Sequence, residues 1–544
     1  MRALLLLVLV ATSAVAQRPS VRAHPLDSAA VSDIATLLML EDTRTFDSLT
    51  LSRLLHAPHP EVRRQAALAV ARINDVRGVA LLRARPLDPD TAIAATTVFA
   101  VGQLRDTLTI PWFDSLLSSA RTPRTILSEA AYALGKVKTP AARAVLARFL
   151  STAAATPRTR GAIGEALLSI GRSTTRGDLA PITRWTTSRD EQIRWRAAWA
   201  LFRPRDPAAV SALLTLSNDP SGTVRSWAVR ALVKAEADSA QLQDRAEARL
   251  ESALTDSDRR VRTEAVRALA TYSDSSAVAA LVAALLSKDS WLSVSAAEGL
   301  ARARAAWTIP ALLNATREPA PCALRVTAMR TLRTFAESDA RAAAATIASD
   351  TVPYCRNAAE QLLRDTIPRT GRRGGRGGQR PRPTITARPM PEYRAIVERW
   401  IAPAVAGKPL PRARWETTRG AIELELYAAD APLATDAFAH IMEAGTIVGT
   451  EFTRVVPDFV DQQATIRDAP LQRDEVNRHR LARGNLAWAS AGLDTGRPGY
   501  TLNHTPQPHN EGDFTSLGRV VSGQDIVDRM ELGDRVTAAR MISP

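Results

Sequence analysis

A short motif returns along the first two-thirds of this chain every 31 to 37 residues, a period that a compact single-core fold does not produce. It consists of an apolar residue followed by Arg or another polar residue, a small residue four places on and an apolar residue eight places on. The clearest copies are Val62-Arg63 with Ala66 and Val70, Ile193-Arg194 with Ala197 and Leu201, Val224-Arg225 with Ala228 and Leu232, and Val261-Arg262 with Ala265 and Leu269. Weaker copies begin at Ile93, Ile126, Thr159, Leu292, Leu324 and Cys355. Residues spaced by four and eight share one face of an α-helix, and the small central residue lets neighbouring helices approach closely. Just upstream, Asp88-Pro89, Thr122-Pro123, Asp219-Pro220 and Asp256-Ser257 read as N-caps, most with a first-turn Pro. Each unit is thus a connection, a helix and a returning partner helix. About ten such units leave a substantial remainder of the 544 residues for other domains.

The stretch Asp219-Pro220-Ser221-Gly222-Thr223-Val224-Arg225 resembles the signature of HEAT and HEAT-like repeats. The resemblance extends over roughly residues 30–365 and implies an all-α solenoid whose concave surface binds protein partners. Trp195, Trp199 and Trp227 recur at helical spacing and are expected in the core rather than as a binding stripe.

The chain starts with Met1-Arg2-Ala3, an apolar run from Leu4 to Val10 and Ala14-Val15-Ala16, the pattern of a secretory signal cleaved before Gln17. The run is short for a membrane span, no later segment is longer, and the mature chain is expected in an exported compartment, most simply the periplasm. Cys322 and Cys355 occupy neighbouring repeats, and either a disulfide or a pair of small buried thiols fits them. Two cysteines without a nearby His cluster build no metal site. The net charge of +15 is uneven: from Met390 onward there are 17 Arg and Lys against 21 Asp and Glu, so residues 1–389 carry about +19. That surplus favours anionic partners, and export argues against nucleic acid. Residues 369–384, rich in Arg, Gly and Pro, read as a disordered tether that lets the terminal domain move independently. A short amphipathic helix follows over 393–405.

Beyond Trp415 the periodicity changes. Ala421-Ile422-Glu423-Leu424-Glu425-Leu426-Tyr427 alternates apolar and polar residues after a Gly turn, as a half-buried strand does. A helix is expected over 432–444, strands over 452–457, 484–489 and 517–521, and a last helix over 524–532. Over about residues 413–535 this order resembles the cyclophilin family. Its most specific segment is Phe452-Thr453-Arg454-Val455-Val456-Pro457-Asp458-Phe459-Val460-Asp461-Gln462. Ala431 to Phe438, Glu475, Gly484-Asn485-Leu486-Ala487-Trp488-Ala489 and Leu517 to Gly523 fall in the matching order.

The resemblance implies a multidomain chain in which the HEAT-type solenoid is followed by a cyclophilin-like closed β-barrel with flanking helices. The expected divisions are a signal peptide at 1–16, the solenoid at 17–365, a linker at 366–390, a connecting helix at 391–412 and the barrel domain at 413–544. It implies peptidyl-prolyl cis–trans isomerisation of Xaa-Pro bonds without a cofactor. Arg454 would be catalytic. Phe459, Gln462, Val460, Ala489, Ser490, Ala491, Thr501 and His509 would bind substrate. The residue types suit the reaction, because rotating a peptide bond means overcoming a barrier of about 18–20 kcal/mol without making or breaking a bond. A guanidinium can donate to the twisted amide while an apolar wall holds the ring. The rest of the pocket departs from the family pattern. Ser490 replaces Asn, Gly499 replaces Gln, Thr501 replaces Phe, His509 replaces Trp, Asn510 replaces Leu and Phe514 replaces His, and Gln463-Ala464-Thr465 stands for Gly-Gly-Asp. Every large apolar side chain missing from the pocket takes away about 1.5–3 kcal/mol of burial. A scaffold that binds Pro-containing segments without turning them over is therefore the alternative reading.

Overall fold

A computed structural model describes residues 24–84, 86–365, 386–466, 472–490, 492–496 and 499–542. The expected signal segment and the whole of the tether, residues 369–384, lie outside these residues.

The repeats form two layers of helices. One layer, here the facing layer, contains Ser28–Thr43, Pro60–Ile73, Thr91–Gln103, Arg124–Val137, Arg160–Arg172, Glu191–Phe202, Gly222–Arg230, Arg259–Leu269, Ser290–Ala303, Cys322–Leu332 and Pro353–Arg364, each packed on the next. Returning helices, from Ser48–Leu55 to Glu337–Ile347, make the outer layer. The small residues do what their spacing predicts: Ala66, Ala197, Ala228 and Ala265 are wholly buried, and a Cβ placed on Gly102 would lie 2.5 Å from Cβ of Ala133 in the next helix. Trp195, Trp199 and Trp227 are buried. Cys322 and Cys355 are disulfide-bonded.

Where the motif Arg is present in the well-marked repeats, it ties its repeat to the following one. Arg63 pairs with Asp88 at 2.7 Å, Arg194 with Asp219 at 2.7 Å, Arg225 with Asp256 at 2.7 Å and Arg262 with Asp289 at 3.1 Å. Arg325 pairs likewise with Asp350. Each of these arginines also donates to carbonyls of its own connection, as Arg225 does to Asp219 and Pro220. The capping assignment therefore changes. The caps of the Thr91–Gln103 and Arg259–Leu269 helices are Asp90 and Asp258, two residues after Asp88 and Asp256. Asp88 and Asp256 instead accept the amides of Asp90 and Asp258 while holding the Arg of the preceding repeat.

The chain then forms one helical stretch over Met390–Val405, with a π-helical turn at Val397–Ile401. It touches both neighbours: Tyr393 donates to Asp42 at 2.8 Å, and Trp400 donates to Asp436 at 2.9 Å.

Eight strands follow: β1 (Arg412–Thr417), β2 (Gly420–Leu426), β3 (Phe452–Val456), β4 (Val460–Gln463), β5 (Asn485–Trp488), β6 (Tyr500–Asn503), β7 (Ser516–Ser522) and β8 (Val536–Ile542). All pairings are antiparallel, in the order β3-β4-β6-β5-β7-β2-β1-β8. The sheet curls until Glu451, just before β3, bridges Arg535, just before β8. Trp415, Phe438, Tyr500, Trp488 and Phe452 fill its interior, with Phe438 edge-on to Tyr500 at 5.2 Å. The helix after β7 is only one turn, Gln524–Val527, shorter than the expected 524–532.

The barrel does not stand apart from the repeats. It lies along the facing layer, held by the solenoid's surplus of cations. Arg44 pairs with Asp494 and Arg64 with Asp430, both at 2.5 Å, and Lys136 pairs with Asp513 at 2.9 Å. Arg172 pairs with Glu511 at 2.5 Å. Arg72, wholly buried, donates to the carbonyls of Asp430 and Val476 and to Glu41. Charges also run the other way: Arg478 and Arg480 of the barrel reach Glu129, and Arg480 reaches Glu165. Burial in low dielectric makes such pairs orientation-sensitive and weakly screened. The expectation of an independently moving terminal domain is thus corrected to a docked one, and much of the surface assigned to outside partners is covered by the chain itself.

Candidate active site on the barrel

Strand register assembles the site. Arg454 on β3 lies opposite Gln462 on β4, Gln462 opposite Thr501 on β6, and Thr501 opposite Ala487 on β5, so one transverse row crosses four strands. The next row places Leu502 and Leu486 in the interior, so alternation puts the Arg454 row on the opposite face.

Arg454 donates from Nη1 to Oε1 of Gln462 at 3.3 Å, and its guanidinium carbon lies 5.4 Å from the centre of the Phe459 ring. No carboxylate pairs with it among the described residues. Partial burial pulls its pKa below the usual arginine value, and the group remains charged. It is therefore an exposed cation without a carboxylate counterion among the described residues, with donors left for a ligand.

Phe459 sits in the tight turn joining β3 to β4. Asp458 takes the left-handed conformation there, φ 50°, which Asp tolerates better than most residues. The Phe459 amide donates to Val456, and its carbonyl accepts from the His504 amide and the Gln507 side chain. His509 stacks on the Phe459 ring, centroids 6.2 Å apart and planes 15° from parallel. Burial, together with Arg203, Arg230 and Arg172, pushes the His509 imidazole down to about 4, so the ring is neutral at physiological pH. Arg454, Phe459, Gln462 and His509 thus form one connected cluster, with Thr501 beside it in register.

The other expected residues surround it less directly. Val460 is buried and pairs with Asn503. The Ala489 amide donates to Gly499 at 2.7 Å, and Ser490 has a buried hydroxyl with no hydrogen-bond partner among the described residues. Ala491 lies outside the described residues. Among the described residues the Thr501 hydroxyl makes one long 3.4 Å bond, to the Ala487 carbonyl, and Asn510 donates to Gln507. Glu475 accepts the amides of Leu433 and Ala434 at the start of helix Pro432–Glu443, and burial raises its carboxyl to about 7. Sequence reasoning missed Gln507, which links the Phe459 turn to Asn503, because a single polar residue between loop prolines carries no signal. No group of His, Cys, Asp and Glu among the described residues is arranged to hold a metal ion.

Residues 412–543 match the cyclophilin type peptidyl-prolyl cis-trans isomerase family, and residues 152–233 and 216–301 match HEAT repeats. The chain carries a cyclophilin-type isomerase domain. This cyclophilin domain is 35% identical over 128 residues to peptidyl-prolyl cis-trans isomerase B of Bacillus subtilis, covering 22% of this chain and 90% of that protein. It is 33% identical over 129 residues to a peptidyl-prolyl cis-trans isomerase of Helicobacter pylori, covering 22% of this chain and 79% of that one. Among solved structures, a cyclophilin type peptidyl-prolyl cis-trans isomerase of Cryptosporidium parvum is 17% identical, covers 25% of this chain and 99% of that chain, and has a TM-score of 0.23. The cyclophilin domain is joined here to a HEAT solenoid that the relatives' matched lengths do not include.

Proposed function

We propose that this chain isomerises Xaa-Pro bonds in exported protein clients that its solenoid recruits, with Arg454 as the catalytic residue. The observation that carries this reading is the Arg454 guanidinium, charged and without a carboxylate partner among the described residues, beside an aromatic ring fixed by His509. A proline ring resting on Phe459 would bring its amide nitrogen toward Arg454. As the peptide bond twists, resonance is lost, the nitrogen becomes pyramidal and basic, and a guanidinium N–H can donate to it. Gln462 aligns Arg454 and offers its amide to the substrate backbone. Thr501 and Gly499 leave the pocket less apolar than the family pattern, which lowers affinity rather than removing the donor.

Export is supported by the N-terminal sequence and by the Cys322–Cys355 bridge, a bond typical of oxidising compartments. Recruitment would use the outer layer and its turns, where Leu49, Leu108 and Trp307 are exposed, because the barrel covers the facing layer.

In the full-length chain, Arg454→Ala should lower kcat/KM on a short Xaa-Pro peptide about 100-fold, the usual effect of removing one transition-state donor. A wild-type chain that does not exceed the uncatalysed rate, or a variant that matches wild type, would sink the isomerase reading. Leu108→Ser with Trp307→Ser should slow catalysis of a proline-limited refolding protein and leave the peptide rate intact. Equal effects on both substrates would remove the recruiting role.

A further inference from the structure

Two backbone turns carry Phe459 and His509, and each receives arginines of the solenoid in addition to its bonds within the barrel. The first, Pro457-Asp458-Phe459, receives two arginines from the solenoid. Arg267 Nη1 donates to the Pro457 carbonyl at 2.6 Å, and Arg230 Nη2 donates to both the carbonyl and the carboxylate of Asp458 at 3.1 Å. One buried carboxylate aims both cations: Glu264 takes Arg230 as a fork at 2.8 Å on each oxygen and holds Arg267 at 2.7 Å. The second turn, which carries His509, is held by Arg172. Its Nε donates to the Pro508 carbonyl at 2.9 Å, and its Nη2 reaches Glu511 at 2.5 Å.

We propose that Arg230, Arg267 and Arg172 of the solenoid are positioning residues of the isomerase site, fixing the turns that carry Phe459 and His509 so that the proline pocket is complete only in the docked molecule. This rests on the isomerase reading above. Two observations converge on it. The two turns meet in the Phe459–His509 stack, so a shift of either opens the pocket wall. The left-handed Asp458 of the first turn carries a backbone conformation that external contacts help to hold, and Arg230 grips that residue twice. In this chain the support comes where Gly499, Thr501 and Asn510 have thinned the pocket from within.

Arg454 stands on β3 with its own partner Gln462, so loosening the turns spares the donor and affects the ring that grips proline. The effect therefore belongs in KM. In the full-length chain, Arg230→Ala should raise KM and the equilibrium Kd for an Xaa-Pro peptide about tenfold while kcat stays within about threefold, since small misplacements of a binding group are costly. Arg230→Lys and Arg172→Lys keep the charge and lose the fork. Each should fold, as judged by melting temperature, and show a smaller rise in KM and Kd of about threefold. Unchanged KM and Kd in both lysine variants, or a fall in kcat alone, would overturn the proposal. A wild-type chain that binds the peptide without turning it over removes the isomerase reading, and Kd in the variants then still decides the positioning role. Absence of both binding and turnover in the wild type would overturn both.

Discussion

Asp461 lies on β4 between two residues of the pocket, yet its side chain points the other way, into full burial beside His504 with Oδ2 2.8 Å from Nε2. The His504 ring in turn stacks on Trp291 of the solenoid at 4.9 Å, so a carboxylate of the barrel is sealed by an aromatic of the repeats. Burial outweighs His504 and pushes the Asp461 carboxyl up to about 6. A carboxyl raised in the folded state contributes its full stability below the unfolded value, near 3.9, and loses it as pH rises through about 6. Holding the proton about two pH units longer corresponds to about 3 kcal/mol. Asp461→Asn should therefore match wild type near pH 4 and exceed it by up to about 3 kcal/mol at pH 7, read by urea unfolding at each pH. A constant difference across that range would contradict the assignment. Arg72 shows the opposite case. Its guanidinium is wholly buried among Glu41 and two carbonyls of the barrel, so Arg72→Ala should destabilise by about 3–5 kcal/mol by leaving Glu41 uncompensated. Sequence reading placed Arg454, Phe459 and Gln462 together because they belong to one short segment. It could not place Asp461 or Arg72, whose partners lie far along the chain or in the other domain.

Among the elements, the facing helices were legible because their apolar and small residues repeat at helical spacing. The recurrent Arg was equally visible, but its partner lies 25 to 31 residues on, and only the packed repeats show that the upstream Asp is a receptor for it rather than a cap. Arg225, like Arg194, holds both oxygens of its Asp and two carbonyls of its own connection. Arg225→Met should cost about 2–3 kcal/mol, whereas Arg124→Met, exposed at a helix start, should stay within about 0.5 kcal/mol. Thermal melts of the two variants separate these outcomes. Several strands escaped notice for a related reason. β1 buries only Ala413, Trp415 and Thr417 between outward charges, and β6 spans four residues with two of them polar. Their strand character comes from their neighbours in the sheet, not from an apolar run of their own.

At the scale of the whole molecule, the uneven charge is plain in the composition, and part of its counterpart lies within the chain. A surplus of +19 in the first part of the chain pointed to an anionic partner, and part of it is met by the acidic loops of the last domain. Most of these pairs are buried or half-buried, so salt should weaken them little. If a protease site is introduced within residues 366–385 and cut, the two fragments should still co-elute in size exclusion at about 1 M NaCl, where the Debye length is only about 3 Å. Separate elution would contradict the docked arrangement.

The barrel touches the solenoid from Arg44, after the first facing helix, to Tyr354 in the last, where a Cβ on Gly533 would lie 2.8 Å from that of Tyr354. A helical solenoid on its own is a spring, in which each coil feels only the coils beside it and unravelling starts at either end. A bar fastened to both ends and at several points between them removes that freedom. The first and last coils gain a common neighbour, local fraying stretches contacts far along the chain, and the pitch of the spring becomes a property of the barrel as much as of the repeats.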